Sequence, residues 1–147
     1  MILHNRYKLL LFLIIVACGD YVLAQHSLPY YKNPRLSIEQ RVADLISRMT
    51  VEEKVGQLLC PLGGEMYEIK GNAVSLSDKF KQLIKERHAG MLWATFRADP
   101  WTKKTLDNGL NPALAAKAGN ALQKYVMEHT RLGIPMFLAE EAPHGHM

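Results

Sequence analysis

Leu132-Gly133-Ile134-Pro135-Met136-Phe137-Leu138-Ala139-Glu140-Glu141-Ala142-Pro143-His144-Gly145-His146-Met147 joins an apolar run to a dense polar cluster. Ile134 to Ala139 is short, continuous and apolar, bounded by Gly133 and by charge, which is the pattern of a strand covered on both faces in a parallel sheet. Pro135 stands near the start of that strand, where a missing N–H costs least. Two carboxylates, two imidazoles, a proline and a glycine follow at once. Sheets and barrels of the α/β class bind ligands just beyond the carboxyl ends of their strands. The stretch therefore predicts a buried strand that opens into a site.

The chain before it supplies the rest of such a fold. Asn111 ahead of Pro112 marks a helix start, a cap followed by proline in the first turn, and the helix runs from Ala113 to about His129 with Leu114, Ala118, Leu122, Tyr125 and Val126 inward. Met91 to Phe96 reads as a strand. Ser77 caps a helix carrying Phe80, Leu83 and Ile84 on one side, ended by Gly90. Leu58 to Leu62 reads as a first buried strand, and Glu65 to Asn72 as a loop or small hairpin. Ser37 with Gln40, and Thr50 with Glu53, form two capping boxes. They start a helix with an apolar face of Ile38, Val42, Leu45, Ile46 and Met49, then a short one from Val51 to about Leu58. Strand and helix alternate, which predicts an α/β fold with a parallel sheet and helices outside it.

Residues 1–24 have the form of an export signal: Arg6 and Lys8 precede an uninterrupted apolar core, Leu9 to Ala17, too short to span a bilayer comfortably. Val22-Leu23-Ala24 before Gln25 suits cleavage to a soluble exported product, periplasmic or extracellular. Ile15-Val16-Ala17-Cys18 resembles a lipobox, and lipidation at Cys18 is the alternative, giving an outer-membrane lipoprotein. Residues 25–35, with Tyr30, Tyr31 and two prolines, read as an extended arm, and the domain proper spans 36–147. Loss of the leader leaves Cys60 without an internal disulfide partner, and its apolar neighbours predict a buried thiol. The formal charge is +4, with no dense basic stripe, so nucleic acid is excluded as a partner, and 48% hydrophobic residues exclude a disordered chain.

Adjacent residues on a strand point to opposite faces, so Glu140 and Glu141 do not form an acid/base pair with each other. One of them faces the site. His144 and His146 with nearby carboxylates allow a metal-dependent hydrolase as a rival reading, for which no third ligand is identifiable. Trp93 is assigned to the core. The loop after it carries Arg97, Asp99, Trp101, Lys103, Lys104 and Asp107, and Trp101 is a candidate to line the site, where an indole can stack on the C–H face of a sugar. No phosphate-binding glycine loop and no Gly-x-Ser-x-Gly elbow are present.

Leu45-Ile46-Ser47-Arg48-Met49-Thr50-Val51-Glu52-Glu53-Lys54-Val55-Gly56-Gln57-Leu58, His88-Ala89-Gly90-Met91-Leu92, and Arg131-Leu132-Gly133-Ile134-Pro135 with Glu140-Glu141-Ala142-Pro143-His144-Gly145 resemble, in this order, the N-terminal part of glycoside hydrolase family 3. The resemblance implies the incomplete N-terminal portion of a (β/α)8 TIM-type barrel. It further implies retaining hydrolysis of β-glucosides or β-xylosides through a covalent glycosyl-enzyme intermediate, without a cofactor. Glu141 matches the family's acidic residue that binds sugar hydroxyls, and His144 and Gly145 match the element that shapes that subsite's floor. The family's aspartate nucleophile and acid/base glutamate have no counterpart among these residues, so the expectation is a leading fragment, inactive in isolation, that meets β-linked oligosaccharides. A non-catalytic exported sugar-binding or remnant lipoprotein is the alternative.

Overall fold

The computed structural model describes residues 28–97, 104–105 and 109–141. These form two compact units, one ending at Arg48 and the other beginning at Met49. The leader, Cys18 and the signal-cleavage segment lie outside the described residues.

In the first unit the expected extended arm contains a single 3-10 turn, Tyr30–Lys32, packed on helix α1, Ile38–Arg48. The Ser37–Gln40 capping box forms as read: Ser37 N–H donates to Gln40 Oε1 at 3.1 Å and Gln40 N–H to Ser37 Oγ at 3.3 Å. Asp44 explains the docking of the turn. Its carboxylate accepts from Tyr31 N–H at 3.0 Å and from the Arg48 guanidinium at 2.9 and 3.0 Å, while Arg41 Nε donates to Tyr31 O. The Arg48 hydrogen bonds hold the Asp44 carboxyl below its ordinary range. Ile38, Val42 and Ile46 on this helix are exposed.

The second unit begins with α2, Val51–Gly56, whose Thr50–Glu53 capping box is complete. The antiparallel hairpin of β1, Tyr67–Lys70, and β2, Ala73–Leu76, follows. Then come α3, Asp78–Arg87, capped by Ser77; β3, Met91–Trp93; α4, Pro112–His129, capped by Asn111; and β4, Phe137–Ala139. β3 and β4 run parallel, with Met91 opposite Phe137, Leu92 opposite Leu138 and Trp93 opposite Ala139. A parallel bridge of Leu62 to Trp93 adds a third extended segment on the other side of β3, through Trp93 N–H to Pro61 O at 3.0 Å and Gly63 N–H to Trp93 O at 2.7 Å. The observed class is mixed helix and sheet with small sheets.

The core lies between this ladder and the two longer helices. Phe80 and Ile84 of α3, Leu92 of β3, and Leu122 and Val126 of α4 are buried together with Met66, Ala89 and Met136. Each of these side chains larger than Ala89 contributes about 1.5–3 kcal/mol through removal from water. Gln123 joins α4 to the strand entry as a surrogate ladder residue: its amide donates to Met136 O at 2.7 Å and accepts from Met136 N–H at 3.1 Å.

Several expectations are corrected. Leu58 to Leu62 is not a buried strand, because turns continue past α2 through Leu58 N–H to Val55 O and Leu59 N–H to Gly56 O. Leu58 is 83% exposed and the segment enters the ladder only at its end. Cys60, expected to be buried, is exposed for the same reason. α3 ends at His88, left-handed at φ 52°, rather than at Gly90. Gly90 serves a close approach instead, since a Cβ there would lie 2.7 Å from Gln57 Cα. The strand expected over Met91–Phe96 stops at Trp93 because Ala94 takes φ 54° and turns the chain. Phe137, expected to be covered, is 72% exposed.

Candidate functional site

Among the described residues, Arg97 follows β3 and Glu140 and Glu141 follow β4, at the carboxyl ends of the two strands. Beyond β3 the backbone turns through Ala94, Thr95 and Phe96, and this turn is held from three directions. Ala94 N–H donates to Ala139 O at 3.0 Å, extending the ladder by one rung. Glu140 Oε1 accepts from Thr95 N–H at 2.6 Å and from Phe96 N–H at 2.8 Å. Tyr67, reaching over from β1, donates its hydroxyl to Thr95 O at 2.7 Å. Thr95 is fully buried, and its Oγ1 has no hydrogen-bond partner among the described residues. Its side chain lies against Gly63, where a Cβ would collide with it.

Glu140 and Glu141 diverge as the strand geometry requires. Glu140 turns onto the amides of the neighbouring turn. Glu141 reaches the Arg97 guanidinium at 3.3 Å and remains 60% exposed, whereas the Arg97 side chain is only 15% exposed. Arg97 lies over the ring of Trp93, 4.6 Å from its centroid. Trp93, assigned to the core, is thus half-buried, with the guanidinium on its ring. Lys104 lies 5.1 Å from the ring centroid of Tyr67. Burial, and secondarily the charge of Glu140, push the Tyr67 phenol up to about 12, so it remains a hydrogen-bond donor throughout the neutral range.

The structure therefore brings Glu141, Arg97 and Trp93 together at one strand end. Trp101, His144, Gly145 and His146 lie outside the described residues. Among the described residues no group of three or more His, Cys, Asp or Glu could hold a metal ion, and no helix is long and apolar enough to cross a membrane. Sequence reasoning missed Tyr67. Its signal was the alternation of Tyr67 and Ile69 with charged residues ahead of Gly71-Asn72, a two-residue hairpin connection.

Chemically the cluster offers an acceptor-only carboxylate, a donor-only guanidinium and an aromatic face. That set suits a neutral, hydroxyl-rich ligand. A small cavity of about 30 Å³ lies elsewhere, at the amino ends of the strands, lined by Glu53, Gln57, His88, Thr130 and apolar neighbours. It is large enough for about one water and is part of the frame.

No protein-family model matches the chain. Curated proteins do. A protein of Formosa agariphila bearing a β-xylosidase name is 36% identical over 116 residues, which cover 78% of this chain and 14% of that protein. Beta-glucosidase C of Emericella nidulans is 31% identical over 124 residues, 84% of this chain and 18% of the relative. A periplasmic beta-glucosidase/beta-xylosidase of Dickeya chrysanthemi is 30% identical over 112 residues, 76% and 15% respectively. The chain spans 14–18% of the length of these relatives, and over most of its own length it is similar to proteins named as β-glucosidases and β-xylosidases.

Proposed function

We propose that this chain is part of an exported glycoside hydrolase of family 3, contributing the first β/α units of a (β/α)8 barrel domain. The glycoside would bind at the carboxyl ends of its strands. The observation that carries the reading is Glu141 beyond β4, exposed and paired with Arg97 beside an aromatic ring. An ionised carboxylate there can accept hydrogen bonds from two neighbouring sugar hydroxyls. His144, Gly145 and Trp101 complete the subsite in this proposal, the substrate being a β-glucoside or β-xyloside and no cofactor taking part. Residues 1–24 act as the signal, residues 25–35 lead into the barrel domain from 36 onward, and lipidation at Cys18 is the alternative fate of the leader.

Neither glutamate is assigned the nucleophile or acid/base role. Glu140 Oε1 is occupied by two backbone amides and Glu141 is drawn to Arg97. The 147 residues by themselves are therefore proposed to bind a glycoside without turning it over. The test is titration of methyl β-D-glucopyranoside and methyl β-D-xylopyranoside into the wild-type chain and Glu141→Gln, followed by nuclear magnetic resonance, alongside an aryl-glycoside hydrolysis assay. Loss of the charged hydrogen bonds is expected to weaken binding by roughly tenfold. Equal affinity of the two proteins would reject the subsite, and turnover by the wild-type chain would reject the assignment of a binding role alone.

A further inference from the structure

We infer that Arg97 is a positioning and specificity residue for Glu141: its guanidinium fixes the orientation of the carboxylate and joins it in reading one ring hydroxyl of a bound glycoside. The inference rests on the sugar-site reading above.

Arg97 is the fixed member of the pair. Its side chain is 15% exposed against 60% for Glu141. It rests on the Trp93 ring, and the backbone leading into it is pinned by the two amide hydrogen bonds to Glu140 and by Tyr67 on Thr95 O. Among the described residues Glu141 has no such support, and the 3.3 Å contact with Arg97 is what orients its carboxylate. With one member exposed and the charged atoms 3.3 Å apart, the ion pair contributes little to stability, so its consequence is geometric. Holding the carboxylate in one orientation removes ordering that a ligand would otherwise have to impose.

The two groups also share a preference. A carboxylate only accepts and a guanidinium only donates, whereas a hydroxyl does both. With the charged atoms 3.3 Å apart, one hydroxyl can donate to Glu141 and accept from Arg97 at once. Hydrogen in its place satisfies neither group, and a methyl ether cannot donate. An anionic ligand meets the charge of Glu141 and a cationic one that of Arg97, which leaves a neutral polyol as the matched class.

The experiment titrates methyl β-D-glucopyranoside and its monodeoxy analogues into the full chain as wild type, Arg97→Ala, Arg97→Lys, Glu141→Gln and the double variant Arg97→Ala/Glu141→Gln. Binding is followed by nuclear magnetic resonance and folding is checked by thermal unfolding. Arg97→Ala is expected to bind about tenfold more weakly and to lose most of the wild type's discrimination against one deoxy position, a change in preference that a purely structural role would not produce. Arg97→Lys, which keeps the charge without the planar fork, should fall between the two. The double variant should bind more weakly than Glu141→Gln, but by less than the product of the two single losses, because the two groups read the same hydroxyl. Losses that multiply in the double variant, or unchanged affinity and preference in Arg97→Ala, overturn the proposal. If Arg97→Ala does not fold, wild-type affinity and preference in Arg97→Lys overturn it. A wild-type chain that binds no glycoside, or a Glu141→Gln chain that binds as well as wild type, instead overturns the sugar-site reading, and the role of Arg97 falls with it.

Discussion

Glu140→Ala removes the acceptor shared by two backbone amides. Thr95 N–H and Phe96 N–H both donate to Glu140 Oε1, at 2.6 and 2.8 Å, in a turn whose middle member, Thr95, is fully buried. A hydrogen bond to a charged group contributes about 1.5–3 kcal/mol, and a buried donor left without a partner costs about 1–3 kcal/mol. The two bonds share one oxygen and one turn, so their losses do not add in full. The expected destabilisation is about 2–4 kcal/mol, a large part of the ~5–15 kcal/mol typical of a domain. Glu140→Gln keeps a carbonyl oxygen in place and loses only the charge assistance, for about 1 kcal/mol. Urea unfolding should lower the midpoint at constant slope in the order wild type, Gln, Ala. Hydrogen exchange should report selective loss of protection at Thr95 and Phe96. An alanine variant within about 0.5 kcal/mol of wild type, with those two amides still protected, would refute the reasoning. Equal losses for Gln and Ala would mean that charge rather than the retained acceptor fixes the turn.

Tyr67→Phe deletes the hydrogen bond to Thr95 O and should cost about 1 kcal/mol near neutral pH, measured by the same unfolding assay. Because folding raises the Tyr67 phenol from 10.0 to about 12, its contribution is complete below about pH 10 and is lost as pH rises toward about 12. Spectrophotometric titration should show one late-ionising phenol in the wild type that is missing from Tyr67→Phe. Glu53 is held below the ordinary carboxylate range, chiefly by the Arg131 hydrogen bond, with burial opposing and the Thr50 N–H assisting. Its stabilisation is therefore present above the ordinary range and lost as pH falls through the lowered value, and Glu53→Gln should flatten the acid limb of a stability–pH curve. Thr50→Ala, which removes the other half of that capping box, should cost about 1 kcal/mol in thermal or urea unfolding. Gly63→Ala would drive a methyl into the buried Thr95 side chain and to 2.9 Å from Thr95 Cα, so a loss of about 1–3 kcal/mol is expected.

Helix starts were legible because capping is local. Ser37, Thr50, Ser77 and Asn111 each cap a nearby amide as their spacing predicts. The buried face of α4, Leu114, Ala118, Leu122 and Val126, was legible from its helical period. The hairpin was harder, because Glu68 and Lys70 make β1 look like a solvated loop. Its signature is the Gly71-Asn72 connection, with Gly71 at φ 60°. Cys60 misled because apolar neighbours imply burial only where the chain runs into the core, and here it is still leaving a helix. At the strand end, the apolar run located the pair of glutamates but not which of them turns outward, and Glu141 was singled out by the resemblance alone. Its pairing with Arg97 was not legible: the two are 44 residues apart, and only the register of β3 on β4 brings them together.

That register also explains why two adjacent glutamates acquire different work. Trp93 stands opposite Ala139, and the next rung joins Ala94 N–H to Ala139 O, so the first residue past β4 falls beside the amides of the turn and the second diverges toward Arg97. Slipping the pairing by one residue would exchange the faces of the two carboxylates. The roles therefore belong to the register rather than to the side-chain type, and this separates the effects of two otherwise similar substitutions. Glu140→Ala should lower stability by the ~2–4 kcal/mol worked out above. Glu141→Ala should change stability by less than about 0.5 kcal/mol, because the Glu141 carboxylate is largely exposed and meets Arg97 at only 3.3 Å, while weakening methyl β-D-glucopyranoside binding. The measurement is a paired one, urea midpoint and glycoside affinity on both variants. If Glu141→Ala proved the destabilising substitution, or if both variants lost stability and affinity in equal proportion, the division of labour drawn from the strand register would be wrong.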